Sequence, residues 1–176
     1  MAGDRPTLAQ HGDAIIEVVS DPSHIQDPNI RRFFGLWLDA CQGDPKPDKS
    51  FIDPFRLRFM IGSIVLLEVH ENPLRFRYRL VGTDIVDRVG VELTGKWLEE
   101  HPDSERMPLV RQTFTLAVTS RQAVHTRVPL SIDGEPWQYE GVIVPLFGGG
   151  ERVTHLGGAQ TFPPSAPRWR RPPAGS

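Results

Sequence analysis

The sequence predicts an α+β domain in the order ββ, helices, βββ, with an amphipathic helix ahead of the first strand. Three observations predict it. Apolar residues recur at helical spacing from Ile30 to Cys41, two strand-like runs are separated by Asn72-Pro73, and three more follow residue 122.

The helix is the strongest local signal. Asp27 suits its N-cap and Pro28 its first position, where the missing N–H is not needed. Ile30, Phe33, Phe34, Trp37, Leu38 and Cys41 make one stripe, with Arg31, Arg32 and Asp39 off it. Such a stripe needs a cover: its own domain, a second copy, or both. Asp53-Pro54 then opens an expected short helix to Met60. Ser63–His70 is β-branched and apolar. In Arg75–Val81, Phe76, Tyr78 and Leu80 alternate with Arg75, Arg77 and Arg79, which gives a hairpin with one apolar and one wet face. Short helical pieces follow, Asp84–Val89 after a Thr83 cap and before Gly90, and Thr94–Glu100. A longer helix spans residues 105–119, with Pro108 in its first turn. The last strands are residues 123–130, 136–147 and 152–159, separated by Asp133-Gly134 and Gly148-Gly149-Gly150.

Composition narrows the function classes. The chain has 176 residues, 39% hydrophobic and 24% charged, which describes one globular domain with extensions. Lys and Arg number 20 against 22 Asp and Glu, a formal −2, and nucleic acid is therefore not an expected partner. The uncharged run Phe59–Leu67, which contains Gly62 and Ser63, is nine residues long, short of the roughly 20 that span a bilayer. The start of the chain carries Asp4 and Arg5 in place of an apolar signal region, and Cys41 is the single cysteine; both point to the cytoplasm. Residues 161–176 are rich in Pro and Arg and read as a disordered tail. Residues 163–176 hold three arginines and no acid, and without them the formal charge is −5.

The element order, with Gly82-Thr83-Asp84-Ile85-Val86-Asp87-Arg88-Val89-Gly90, Leu93-Thr94-Gly95-Lys96, His101-Pro102-Asp103, Asp133-Gly134-Glu135-Pro136-Trp137 and Val144-Pro145-Leu146, resembles the successive landmarks of PAS sensor domains. The preceding helix and Asp-Pro turn, and the Arg-x-Arg strand ending in Gly-Thr, are similar to a bacterial, largely proteobacterial, stand-alone PAS-like family over residues 28–160. The resemblance implies a five-stranded antiparallel sheet with a helical crossover on one face and a small-molecule pocket beneath. Residues 1–26 would be an extension, 27–160 the domain with its helix at 28–42, and 161–176 the tail.

Candidate site residues follow. Phe76, Tyr78, Leu80, Ile85, Val89, Trp97, Phe114, Val128, Tyr139 and Ile143 are expected between sheet and crossover, an apolar lining with three polar handles. Ile30, Phe33, Phe34, Trp37 and Leu38 are the candidates for a homodimer contact made by the helix and a sheet face. No catalytic residue is assigned, because no nucleophile elbow, metalloprotease helix or phosphate loop occurs. Cys41 reads as core filler. The histidines lack metal-site spacing, although His70, His125 and His155 lie on neighbouring strands. Arg75, Arg77, Arg79 and Arg127 read as a solvated strand face paired with Glu68 or Glu140. No cofactor is assigned. No cysteine lies between residues 82 and 120 for covalent flavin photochemistry of the light-oxygen-voltage type, and no histidine between 105 and 119 for haem, with His101 at the helix entrance the remaining haem candidate.

The reading is a non-catalytic sensory or regulatory module that binds a small molecule, a protein partner or both, and signals through altered association. Two alternatives stand beside it. One is a small isomerase- or hydratase-like enzyme with Asp53, Asp84 or Glu92 buried in its pocket. The other is a purely structural interaction protein.

Overall fold

The computed structural model describes residues 14–132 and 135–161. Six strands form one antiparallel sheet in the spatial order β1-β4-β5-β6-β2-β3. They are β1 (Ile15–Val18), β2 (Ile64–His70), β3 (Arg75–Val81), β4 (Val124–Ile132), β5 (Glu135–Phe147) and β6 (Val153–Thr161). Helix α1 (Pro28–Ala40) covers one face, and the crossover of α2 (Thr83–Val89), a 3₁₀ turn (Leu98–Glu100) and α3 (Met107–Ser120) covers the other. Period-two alternation turns successive side chains of each strand to opposite layers, and both layers are apolar.

The sheet has one strand more than expected. β1 lies within the segment read as an extension and pairs with β4, Ile16 opposite Thr126 and Val18 opposite Val124. Ile16 is fully buried on the crossover side. The Pro/Arg-rich tail beyond Thr161 lies outside the described residues.

Helix α1 forms as its residues dictate. The Asp27 carboxylate accepts from the N–H groups of Asn29 and Ile30, at 2.8 and 2.9 Å, and Pro28 opens the first turn. Its stripe is covered by its own sheet: Ile30, Phe33 and Phe34 are fully buried, Trp37 nearly so, and Leu38 half-buried. At roughly 1.5–3 kcal/mol per large side chain this is one of the main stabilising contacts. A dimer contact through α1 would therefore use its outer side, not the side chains of the stripe.

The short helix expected at Asp53–Met60 is a run of turns. The N–H of Leu57 reaches the carbonyl of Asp53 and that of Met60 reaches Leu57, so successive bonds differ in span and no helix propagates. Leu57 and Met60 are buried while Phe55 stays 86% exposed. α2 starts at Thr83, its expected cap, one residue earlier than expected: Gly82 occupies the N-cap without a side-chain bond, and Gly90 closes the helix in the left-handed conformation at φ 77°.

Candidate functional site

The crossover face of the sheet meets the helices in an apolar cluster. Phe76 and Tyr78 of β3, Ile143 of β5, Ile85 of α2 and Phe114 of α3 are buried in it, and Val89 and Val128 pack at its margin. The rings of Phe76 and Phe114 meet edge to face, with centroids 5.3 Å apart. Tyr139 joins them from β5, opposite Val128, and its hydroxyl donates to Gln160 Oε1 at 2.9 Å. Gly141 makes room for that hydroxyl, since a Cβ there would lie 2.6 Å from it.

Two expected members are elsewhere. Leu66 opposes Leu80 but Leu67 opposes Tyr78, which leaves Arg79 as an extra residue in β3. This bulge turns Leu80 to the α1 side, where it packs against that cluster. Trp97 bridges the outer edge of β3 through Arg77, with the Arg75 guanidinium 3.9 Å above its ring and the His70 ring at 4.9 Å.

A polar group of which the sequence reading names only His101 and the two tyrosines, and not Asp103 or Arg106, lies at the entrance of the long crossover helix. The His101 ring lies 6.4 Å from that of Tyr78. His101 Nδ1 accepts from the backbone N–H of Asp103 at 3.0 Å, an acceptor role that assigns the proton of the neutral imidazole to Nε2. Asp103 is 8% exposed, and its carboxylate accepts from Arg106 Nε at 2.6 Å and from the Arg106 backbone N–H at 3.2 Å. Burial holds the His101 pKa below the usual imidazole value, with Arg106 adding and Asp103 opposing. Burial raises the Tyr78 phenol, with Tyr139 adding to the effect, and pushes Tyr139 up to about 12 against the opposing pull of Arg106. Both phenols keep their protons at neutral pH. The group sets the rings of Tyr78 and His101, with Asp103 and Arg106, beside the apolar wall of the crossover face. In the sequence Tyr78 and Tyr139 stand among the candidates and His101 only as a haem candidate at the helix entrance, while nothing marks the pairing of Asp103 with Arg106.

The enzyme alternative has no support in this cluster. Asp53 caps the N–H of Arg56, Asp84 accepts from Ser63 Oγ, and Glu92 accepts from the N–H of Thr94, the main influence holding its pKa low. Asp84 and Glu92 are exposed and Asp53 is half-buried. His70, His125 and His155 do not converge: His70 meets Glu68 and Trp97, His125 meets Glu17 and Glu140, and His155 meets Thr154. Among the described residues no group of three or more His, Cys, Asp or Glu is arranged to hold a metal ion. Arg79 pairs with Glu68 at 3.9 Å and Arg75 with Glu99 at 3.6 Å, whereas Glu140 pairs with His125 and with no arginine of β3. Burial raises the pKa of the half-buried Cys41 thiol. A surface depression of about 330 Å³ near the end of α3 is lined by Glu71, Val118, Arg121, Glu151, Arg152 and Val153, its four charges paired.

A sequence model of the PAS domain matches residues 25–158, most of the chain and every crossover residue named above. The chain belongs to the PAS domain family. Among solved structures, this PAS chain is similar to an RNA-binding light-oxygen-voltage receptor, at 15% identity and TM-score 0.49 over 89% of this chain. It spans 40% of that receptor's chain. It is also similar to the Rhodobacter sphaeroides LOV protein, at 10% identity and TM-score 0.45 over 81% of this chain and 70% of that one. A third is the PAS domain of Bordetella pertussis BvgS, at 15% identity and TM-score 0.39 over 57% and 75% of the two chains. No curated protein matches the sequence. The fold and family indicate a sensory, regulatory type of domain. No helix among the described residues is long and apolar enough to cross a membrane.

Proposed function

We propose that this PAS domain is a non-catalytic sensory module. It binds a small molecule at the crossover face and passes the signal by altered association with a second copy or another protein. The observation that carries this reading is the polar group Tyr78, His101 and Arg106 beside the apolar wall of Phe76, Ile85 and Phe114. A ligand that favours one packing of the crossover shifts the population of that packing by the difference in its affinities for the two. Self-association would use the outer side of α1 and neighbouring exposed residues such as Phe55.

The experiment combines thermal unfolding with native mass spectrometry across a collection of small metabolites. A ligand at about 100 times its Kd adds about 2.7 kcal/mol, several degrees of Tm for a domain of this size. Tyr78→Phe and Arg106→Gln are expected to reduce that shift while the variants stay folded. No Tm shift and no change of association state with any compound would sink the proposal.

A further inference from the structure

Phe55 and Ile61 are the exposed large apolar side chains among the described residues, at 86% and 38%, and both lie in the connection from α1 to β2. Between them Phe59 is half-buried, with the Arg32 guanidinium of α1 4.1 Å above its ring. Arg56 turns back on Phe51, 5.4 Å from that ring, and donates from Nη1 to the Phe51 carbonyl at 3.3 Å. Arg58 is exposed in the same segment. The sequence holds no Asp or Glu from Pro54 to Leu67. At the two ends, Asp53 caps the N–H of Arg56 and Asp84 accepts from Ser63 Oγ.

The cations of this surface are unmatched. Arg32, Arg56 and Arg58 have no carboxylate partner among the described residues, whereas Arg75, Arg79, Arg106, Arg111, Arg121 and Arg152 each have one. Gly35 lies one turn beyond Arg32 on α1, and a Cβ added there would meet nothing within 4 Å. Glycine weakens a helix interior relative to alanine, and no neighbour among the described residues calls for it here. Aromatic rings and arginines carry much of the binding energy where proteins meet, and a guanidinium takes a carboxylate through two parallel hydrogen bonds. A symmetric contact with a second copy would bring these arginines against their own counterparts. One protruding ring is a weak anchor for a bilayer. The surface fits an occupant that carries both apolar side chains and carboxylates, and the bare backbone at Gly35 lets a helix come close.

We propose that Phe55, Phe59 and Ile61, with Arg32, Arg56 and Arg58, dock an acidic amphipathic helix of another protein, which passes over Gly35. Its apolar stripe meets the rings and its flanking carboxylates meet the guanidinium groups. This deepens the association half of the sensor reading by giving the partner's chemistry, and it is tested without any ligand. The probe is a fluorescein-labelled synthetic helix of about 18 residues, Leu along one face and Glu beside it, with a second version that has Lys for every Glu. Anisotropy with the full chain is expected to show the Glu helix binding at least about tenfold more tightly than the Lys helix. Equal affinities, or no binding of the Glu helix up to about 1 mM, overturn the proposal. Phe55→Ala is expected to leave the urea midpoint unchanged and to weaken the Glu helix about tenfold. Gly35→Ala is expected to raise the urea midpoint and still weaken the Glu helix several-fold. Unchanged affinity in either variant overturns the proposal. Two further outcomes also overturn it: a dimer that Phe55→Ala dissociates gives the surface to a second copy, and binding to phosphatidylglycerol-containing vesicles that Phe55→Ala abolishes gives it to a membrane. A failed ligand search leaves these results standing, and a failed docking test leaves ligand binding standing, so the two readings fail separately.

Discussion

The indole N–H of Trp37 donates to the carbonyl oxygen of Pro145 across 3.0 Å, both groups buried, and pins the third turn of α1 to the last residues of β5. The ring also stacks on Phe34, with centroids 6.0 Å apart. Trp37→Phe keeps most of the apolar contact and leaves the carbonyl unpaired, so a loss of about 1–3 kcal/mol is expected. Trp37→Ala also opens a cavity and is expected to cost about 3–5 kcal/mol. Urea unfolding at constant m-value measures both, and a Phe variant as stable as the parent would discount the hydrogen bond.

Glu140 gives the protein a defined acid response. Its pKa is lowered: burial alone would raise it, and the Gln26 and Asp27 N–H groups together with His125 outweigh that effect. A carboxyl depressed in the folded state contributes stability above its unfolded pKa and loses that contribution as pH falls through its folded value. Denaturant midpoints taken downward from neutral pH are expected to fall once the ordinary carboxylate range is passed. Glu140→Gln should fall less steeply, and an identical slope in the two proteins would count against this role.

The two tyrosines give the opposite response at alkaline pH. The chain contains Tyr78 and Tyr139 and no other tyrosine, so tyrosinate absorbance reports the crossover face alone. Both phenols are raised by burial, Tyr139 to about 12. A neutral acid with a raised folded pKa contributes stability that is complete below about 10, the unfolded value, and lost as pH rises through the folded value. Tyrosinate absorbance is expected to lag behind that of free tyrosine and to appear together with unfolding. Ionisation near pH 10 with the fold intact would mean that the rings are not enclosed.

Gly141 tests the tyrosine pocket directly. A Cβ at this position would lie 2.6 Å from the Tyr139 hydroxyl and 3.2 Å from Thr126 Oγ1. Gly141→Ala is expected to push the hydroxyl off Gln160 and to cost about 1–3 kcal/mol, in the range of other overpacked sites. Combining it with Tyr139→Phe should recover part of that loss, and strict additivity of the two would argue that they do not touch.

The sequence was most legible where a period was long and its caps were local. Asp27, Pro28 and the stripe of α1 predicted both the helix and its apolar face. β2, β3 and the last three strands followed from alternation and turn residues. β1 escaped because four residues, Ile15–Val18, carry too little pattern to stand out, and their pairing with β4 is formed more than a hundred residues away. The misplacement of Leu80 has a different cause: a one-residue bulge changes which way a side chain faces without any mark in composition. The buried groups were the least visible. His125 meets Glu17 across 108 positions of chain, and no local spacing records that meeting. His101 and Asp103 were in view, but in a turn whose burial depends on the docking of the 3₁₀ segment and α3.

The extra residue at Arg79 makes β3 behave as two short rulers set half a step apart. Before it, Phe76 and Tyr78 serve the crossover layer; after it, Leu80 serves the α1 layer and Val81 returns to the crossover. Deleting Arg79 would make the ladder one-to-one and leave Leu80 beneath α1 and Val81 at the crossover, because Leu66 and Val65 already stand opposite them; straightening the bulge with Arg79 kept in line would instead transpose the two. An aligned PAS sequence one residue shorter here would thus keep the same inner and outer residues up to the Gly82 corner, whereas counting by twos through Arg79 assigns them to the wrong layers.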